Sequence, residues 1–352
     1  RGPPLSGGRC ATTWYRQYSI SRDSRDLLSA VRAGELLLAE RLLRGIALPN
    51  CRDPAGATPL HAACDAGRAD IVRLLLKHAA VADAPGGLLF DGPPCALAAR
   101  RGHAECLQHL LSARAAPESA ASLEALTCTH LAAAGGHVAC IRLLLAAHKP
   151  TARAVGRGAV EGTIFEAADL IANFPAADGR LPLHAAAANG HAACAEVLVR
   201  EGFSLLDEAD SQGDGAIHIA ALAPDERAGA EMCRLLVEAG GDVDLATACD
   251  DTALHLAAEH GRVEICRVLL SSAASPNVVE AVTGRTPLHL AARGWQLAVC
   301  QQLLEAEVDV LAVDDLHGTA WSYAHSPACR ELLSGAMKQA EHRSYRVMGD
   351  DV

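Results

Sequence analysis

The stretch TPLHAACDAGRADIVRLLLKHAA, Thr58 to Ala80, decides how this chain is read. Thr58 is a natural helix N-cap, and Pro59 suits the first helical position, where a missing N–H costs nothing. Leu60, Ala63 and Cys64 can face neighbouring helices. Gly67 ends this first short helix, where a positive φ is easiest for glycine. Ile71, Leu74 and Leu75 then form an i, i+3, i+4 apolar stripe, the mark of a second helix. One such helix pair cannot bury its own apolar face.

The phrase returns as TALHLAAEHGRVEICRVLLSSAA at Thr252 and as TPLHLAARGWQLAVCQQLLEAE at Thr286. Aligned on the Thr of TPLH, frames start at Arg25, Thr58, Pro93, Thr127, Leu181, Gly215, Thr252, Thr286 and Thr319, with spacings of 33, 35, 34, 54, 34, 37, 34 and 33 residues. A self-similar period of this size marks a repeat array, in which stacked neighbours bury a continuous core. TPLH-A-A, a glycine and a late leucine run recur together, and on these residues the chain resembles the ankyrin repeat family from about Arg25 to about Ser334. The resemblance implies an all-α repeat solenoid of stacked helix pairs with projecting β-hairpin loops. The turn sequences DPAG (Asp53–Gly56) and DSQG (Asp210–Gly213) would form hairpin tips.

The expected organisation is a flexible basic leader over 1–24, an array over 25–334 and a flexible tail over 335–352. Repeats begin at 58, 93, 127, 181, 215, 252 and 286. The first unit, 25–57, lacks TPLH and carries a charged face, and the last, from 319, is short. Both read as caps. LAPDERAGAEMC (Leu222–Cys233) carries four extra residues, expected as a longer loop. The spacing of 54 leaves a surplus of about 20 residues at about 149–173, a long insertion of the kind that is functional or disordered.

Half of the 352 residues are hydrophobic but only 3% are aromatic, so alanine and leucine dominate, as closely stacked helices require. No run of 18 uncharged apolar residues offers a membrane span. Net charge is −11, and residues 1–25 hold five arginines against one aspartate. The body is therefore more acidic still, which argues against nucleic acid as a partner. Thirteen cysteines, an odd number without close clusters, point to reduced thiols and a cytoplasmic setting, with the nucleus as the alternative.

Sixteen histidines invite a metal or catalytic reading. The period dissolves it. His61, His130, His184, His218, His255 and His289 share one repeat position, where the family resemblance implies hydrogen bonds within and between repeats. HAEC, HVAC and HAAC (His103–Cys106, His137–Cys140, His191–Cys194) look like ligand pairs, but one pair per repeat cannot assemble the four convergent ligands of a zinc site. No phosphate-loop, dinucleotide, zinc-protease, serine-hydrolase or kinase motif is present. The expectation is no catalytic residue, no metal and no cofactor.

In the family, residues just before the helix-1 glycine face the concave side. Carried over by position, this row includes Asp65, Arg100, Arg101, Asn189, Glu259, His260 and Arg293, with Trp295 where a glycine is expected. The expected function is a protein-interaction scaffold or adaptor that lays a partner protein or peptide along a trough, acidic groups meeting the arginines. The alternative is the substrate-recognition region of a larger multidomain protein, such as a ubiquitin-ligase adaptor.

Overall fold

The computed structural model describes residues 22–87, 92–118, 125–147, 171–202 and 204–349. It contains eighteen helices among these residues and no strand longer than a single bridge. The chain divides into two compact units, Arg1–Cys128 and Thr129–Val352. The expected leader, 1–24, lies outside the described residues except for its last three.

Unit 1 begins with the pair α1 (Arg22–Ala33) and α2 (Leu36–Arg44). It continues with α3 (Pro59–Asp65) and α4 (Ala69–Lys77), then α5 (Pro94–Arg101) and α6 (Ala104–Ser112). First helices stack on first helices and second on second, α1 on α3 on α5 and α2 on α4 on α6. Leu27, Leu60, Leu75, Leu107 and Leu110 are fully buried between them. Each such side chain contributes roughly 1.5–3 kcal/mol of burial. The outer face of the first pair is less polar than a cap should be, since Leu37 and Ile46 are exposed.

Unit 2 opens in α7 (Cys128–Ala134), whose first residue is the last of unit 1, and continues in α8 (Val138–Ala147). The next pairs are α9 (Pro182–Ala188) with α10 (Ala192–Gly202), and α11 (Ala216–Ala221) with α12 (Glu226–Glu238). Then come α13 (Ala253–Glu259) with α14 (Val263–Ser271), and α15 (Pro287–Arg293) with α16 (Leu297–Glu305). The short α17 (Ala320–Tyr323) and the long α18 (Pro327–Gly349) end the unit.

The surplus at 149–173 does not interrupt the stack. α8 packs on α10, and His130 Nε2 reaches the Arg180 carbonyl at 2.8 Å, 50 residues away. Most of that segment lies outside the described residues. Its last residues, Ile171 to Asn173, belong to the following repeat, with Ile171 and Ala172 buried.

Three expectations are corrected. The extra residues at Leu222–Cys233 form no longer loop. They lengthen α12 to 13 residues, because Asp225 caps it by accepting from the Arg227 N–H at 3.0 Å. The segment from Gly335 to Gly349, expected to be a flexible tail, continues α18 as helix. The hairpins shrink to single antiparallel bridges, Ala209 with Gly215, Ala246 with Thr252 and Val313 with Thr319.

The hairpins are nevertheless built tightly. Asp210 Oδ1 accepts from the Gln212 and Asp214 N–H groups at 2.8 and 3.1 Å, and Asp314 Oδ1 does the same for Leu316 and Gly318. An arginine from the preceding repeat closes each turn, Arg180 on Asp210 at 3.1 Å and Arg285 on Asp314 at 3.5 Å. Burial alone would raise these two carboxyl groups. The backbone N–H bonds and the Arg180 guanidinium for Asp210, and the Tyr323 hydroxyl with the backbone for Asp314, outweigh it and hold both below the ordinary range.

A second clamp runs between repeats. Asn50, Asp83, Asn173, Asp207, Asp244 and Asn277 each accept a backbone N–H from the following repeat, 31 to 35 residues on, at 2.8–2.9 Å. A side-chain oxygen at this position satisfies a backbone N–H at a loop entry and ties it to the preceding repeat.

Candidate functional site

The repeated histidine fills its place by chemistry rather than by shape. The Nδ1 of His61, His184, His218, His255 and His289 accepts the backbone N–H of the residue preceding the helix, at 3.0–3.3 Å. Where that residue is Thr58, Thr252 or Thr286, its hydroxyl also lies 2.8–3.0 Å from Nδ1. Leu181 and Gly215 have no hydroxyl, and the histidine alone serves them. With Nδ1 accepting, Nε2 carries the proton. In three of them it donates to the next hairpin: His218 to the Leu245 carbonyl at 2.8 Å, His255 to Val278 at 3.0 Å, His289 to Gly318 at 3.1 Å. Only the neutral ring makes both contacts. Burial depresses all six pKa values, that of His61 to about 4.

The histidines of HAEC and HAAC have a different task. His103 Nε2 lies 3.3 Å from the Asp65 carbonyl, and His191 Nε2 lies 3.1 Å from that of Ala134. Each ring sits on the preceding repeat's turn glycine: a Cβ at Gly67 would stand 2.6 Å from His103, and one at Gly136 would stand 2.9 Å from His191. These glycines are doubly required, by φ values of +67 and +74 and by the ring above. The pairs therefore clasp neighbouring repeats. Among the described residues, no group of three or more His, Cys, Asp or Glu is arranged to hold a metal ion.

The twelve described cysteines are free, and all but Cys249 are buried. Burial pushes Cys106 and Cys194 to about 11 and Cys233, Cys266 and Cys300 to about 12. Thiols so far from ionisation are poor nucleophiles and behave as small apolar packing groups.

The candidate partner-binding row divides between the units. In unit 1, Asp65 and the exposed Arg101 form an ion pair at 2.8 Å. Arg100 beside it is exposed. In unit 2, Glu259 and Arg293 form the equivalent pair. The expectation that these arginines stand open for a partner's acids needs correcting: Arg101 and Arg293 each meet a carboxylate of the preceding repeat. Exposed pairs of this kind contribute about 0.2–1 kcal/mol, so a partner carboxylate could replace the internal one at small cost. Asn189 is exposed and donates to the Ala185 carbonyl at 2.9 Å. His260 is exposed, its Nδ1 3.0 Å from the Leu256 carbonyl.

Trp295 stands apart. It occupies the turn position held by glycine at 67, 102, 136, 190 and 261, and adopts the same left-handed backbone, φ +63. Such a conformation costs a residue with a Cβ about 1–2 kcal/mol. Its side chain is 64% exposed. Room exists because the following unit is cut short: α17 has four residues, and the small Ser326 stands three residues before Cys329, where His191 stands before Cys194. The sequence flagged Trp295 as a departure from glycine, but packing between repeats was equally open. The hairpin carboxylates and the Asn/Asp clamps were not singled out, although their recurrence at the repeat period was visible.

A family model described as Ankyrin repeats matches three times, at residues 27–112, 152–246 and 223–314, together well over half of the chain. A mouse protein, 2-5A-dependent ribonuclease, is 43% identical over 65 residues, 18% of this chain and 9% of that protein. The chain thus spans a small fraction of that relative's length. No helix among the described residues is long and apolar enough to cross a membrane. The helix pairs, the histidine and glycine clasps and the matched residues give one conclusion: the chain belongs to the ankyrin repeat family.

Proposed function

We propose that this chain is a scaffold or adaptor that binds another protein or peptide, without chemistry of its own, in the cytoplasm. Trp295 carries the reading. A large aromatic side chain held exposed in a left-handed turn has no structural return for its strain, and strain of this kind concentrates at functional positions. Tryptophan is also the residue type most enriched at the energetic centre of interfaces. Around it lie Glu259, Arg293 and His260, a mixed-charge rim suited to a peptide or protein surface. Asn189 lies on the same row of unit 2. Asp65, Arg100 and Arg101 form the corresponding polar group of unit 1. Nucleic acid is a poor candidate, because net charge is −11 and the hairpins are rich in carboxylates.

The 2-5A-dependent ribonuclease match supports no shared activity, since it covers only 9% of that protein. The test is a quantitative pull-down from extract with wild-type protein and a Trp295→Gly variant of confirmed folding. Loss of the same discrete partners supports the reading. An unchanged partner set removes Trp295 from the interface.

A further inference from the structure

The last four hairpins of unit 2 are acidic as a group. Residues 205–215, 242–252, 276–286 and 309–319 together hold twelve carboxylates and a single arginine, Arg285. That arginine is turned inward, 12% exposed, pairing with Asp314 and lying 4.7 Å over the Tyr323 ring. The hairpins before Thr58 and Leu181 are balanced instead, Arg52 against Asp53 and Arg180 against Asp178.

The four hairpins are laced to their neighbours. The Ser211 N–H donates to the Asp178 carbonyl at 2.8 Å, Ala281 to Cys249 at 3.3 Å and Asp315 to Thr283 at 3.1 Å. The 205–215 and 242–252 tips meet by packing, Gly213 lying so close to Ala248 that a Cβ there would stand 2.7 Å from it, so successive tips form a ledge rather than independent loops. Exposed carboxylates stand along it at Glu208, Asp242, Asp250 and Asp315. Aliphatic side chains stand among them: Val279, Val282, Val313 and Leu316 are between 52% and 75% exposed. Solvating twelve acids needs no exposed valines, and burying valines needs no acids. The combination fits a ligand that is both basic and apolar.

Crowding of charge on this ledge has an internal sign. Asp251 is raised to about 6, first by burial and then by Glu280, Glu259 and Asp214 around it. A carboxyl group surrounded by other carboxylates reports an uncompensated negative potential.

We propose that the hairpin ledge of unit 2 binds a basic segment of another protein, in which lysines or arginines alternate with aliphatic residues. It rests on the reading of the chain as protein-binding but not on Trp295. A second copy of this chain is a poor occupant, because its net charge is −11.

The test uses the full chain and fluorescence anisotropy of a labelled peptide of alternating arginine and valine. Its counterpart with glutamate for arginine is the control. The expected result is binding of the basic peptide alone, weakened roughly tenfold in a Glu208→Gln/Asp250→Asn/Asp315→Asn variant, each exposed charge contributing modestly. A Val282→Ser/Leu316→Ser variant should weaken it as well, and Trp295→Gly should not. Loss through Trp295→Gly alone would overturn the ledge while leaving the proposed function standing. Equal binding of the glutamate peptide, or full binding by the charge variant, would also overturn it. If the peptide binds only after Arg9→Gln/Arg16→Gln, the chain's own basic leader is the occupant and the proposal of a separate partner fails. Circular dichroism of each variant separates lost binding from lost folding.

Discussion

Acidification between about pH 7 and pH 4.5 should unfold this protein through its histidines. In the folded chain, burial lowers the His61 pKa from 6.5 to about 4. In the unfolded chain the same ring protonates near its ordinary value. Across that window the unfolded state holds more protons, so stability present above pH 6.5 is lost as pH falls towards 4. At about 1.36 kcal/mol per unit, His61 alone accounts for roughly 3 kcal/mol. His130, His184, His218, His255 and His289 are displaced in the same direction, again by burial first. Protonation would also put an N–H where Nδ1 now accepts, against the backbone N–H of Thr58 or Leu181. Against a total stability of about 5–15 kcal/mol, the combined loss is enough to unfold the array. Asp251 acts oppositely, since its raised pKa makes it a liability above about 6 that acid removes. It is one half-buried group against six buried histidines, which makes it the smaller effect. Asp210 and Asp314, held below the ordinary carboxylate range, act only at lower pH. The assay is the urea midpoint by circular dichroism from pH 7.5 to pH 4.5. A plateau above pH 7 and a steep fall beginning near pH 6.5 is expected. A midpoint unchanged down to pH 5 would refute the neutral-clasp reasoning.

Three further perturbations separate the parts of the account. Asp251→Asn should stabilise the protein at pH 7.5 by about 1 kcal/mol, after allowing for screening, and the gain should fade as pH falls from about 6 towards 4 in the same urea titration. Gly67→Ala should destabilise by about 1–3 kcal/mol, because it adds left-handed strain and a Cβ 2.6 Å from the His103 ring; a neutral result in thermal melts would mean the ring moves freely. Trp295→Gly should stabilise by about 0.5–1 kcal/mol, strain relief of about 1–2 kcal/mol being partly offset by the freer unfolded glycine. A destabilised Trp295→Gly protein would mean that the ring packs against the repeats.

The helix pairs were legible because TPLH, the glycine and the leucine run carry cap, turn and stripe in fixed order, and each is a local signal. The fate of the extra residues near Pro224 was not. Whether four residues make loop or helix depends on Asp225 finding two N–H groups to accept, a choice that spacing alone leaves open. The continuation of α18 to Gly349 was missed for a related reason, since MKQAEHRSYR is polar enough to read as solvated chain and carries no stop signal before Gly349. Counting put most of the candidate row just before the helix-1 glycine, but its charges were read singly. That Asp65 meets Arg101, and Glu259 meets Arg293, follows only when consecutive repeats are laid side by side. The ledge carboxylates follow the same logic: each hairpin alone is an ordinary solvated acidic turn, and only stacking makes them a surface.

The central claim is that this ankyrin repeat chain works by holding another protein at the surface around Trp295. The most direct measurement places a photo-crosslinking amino acid at position 295, and separately at the exposed Leu37 of the first helix pair as a control, in cells expressing the full chain. The account predicts one or a few discrete protein adducts from position 295 that are absent from position 37. Identical adduct patterns from the two positions, or none from 295, would contradict it.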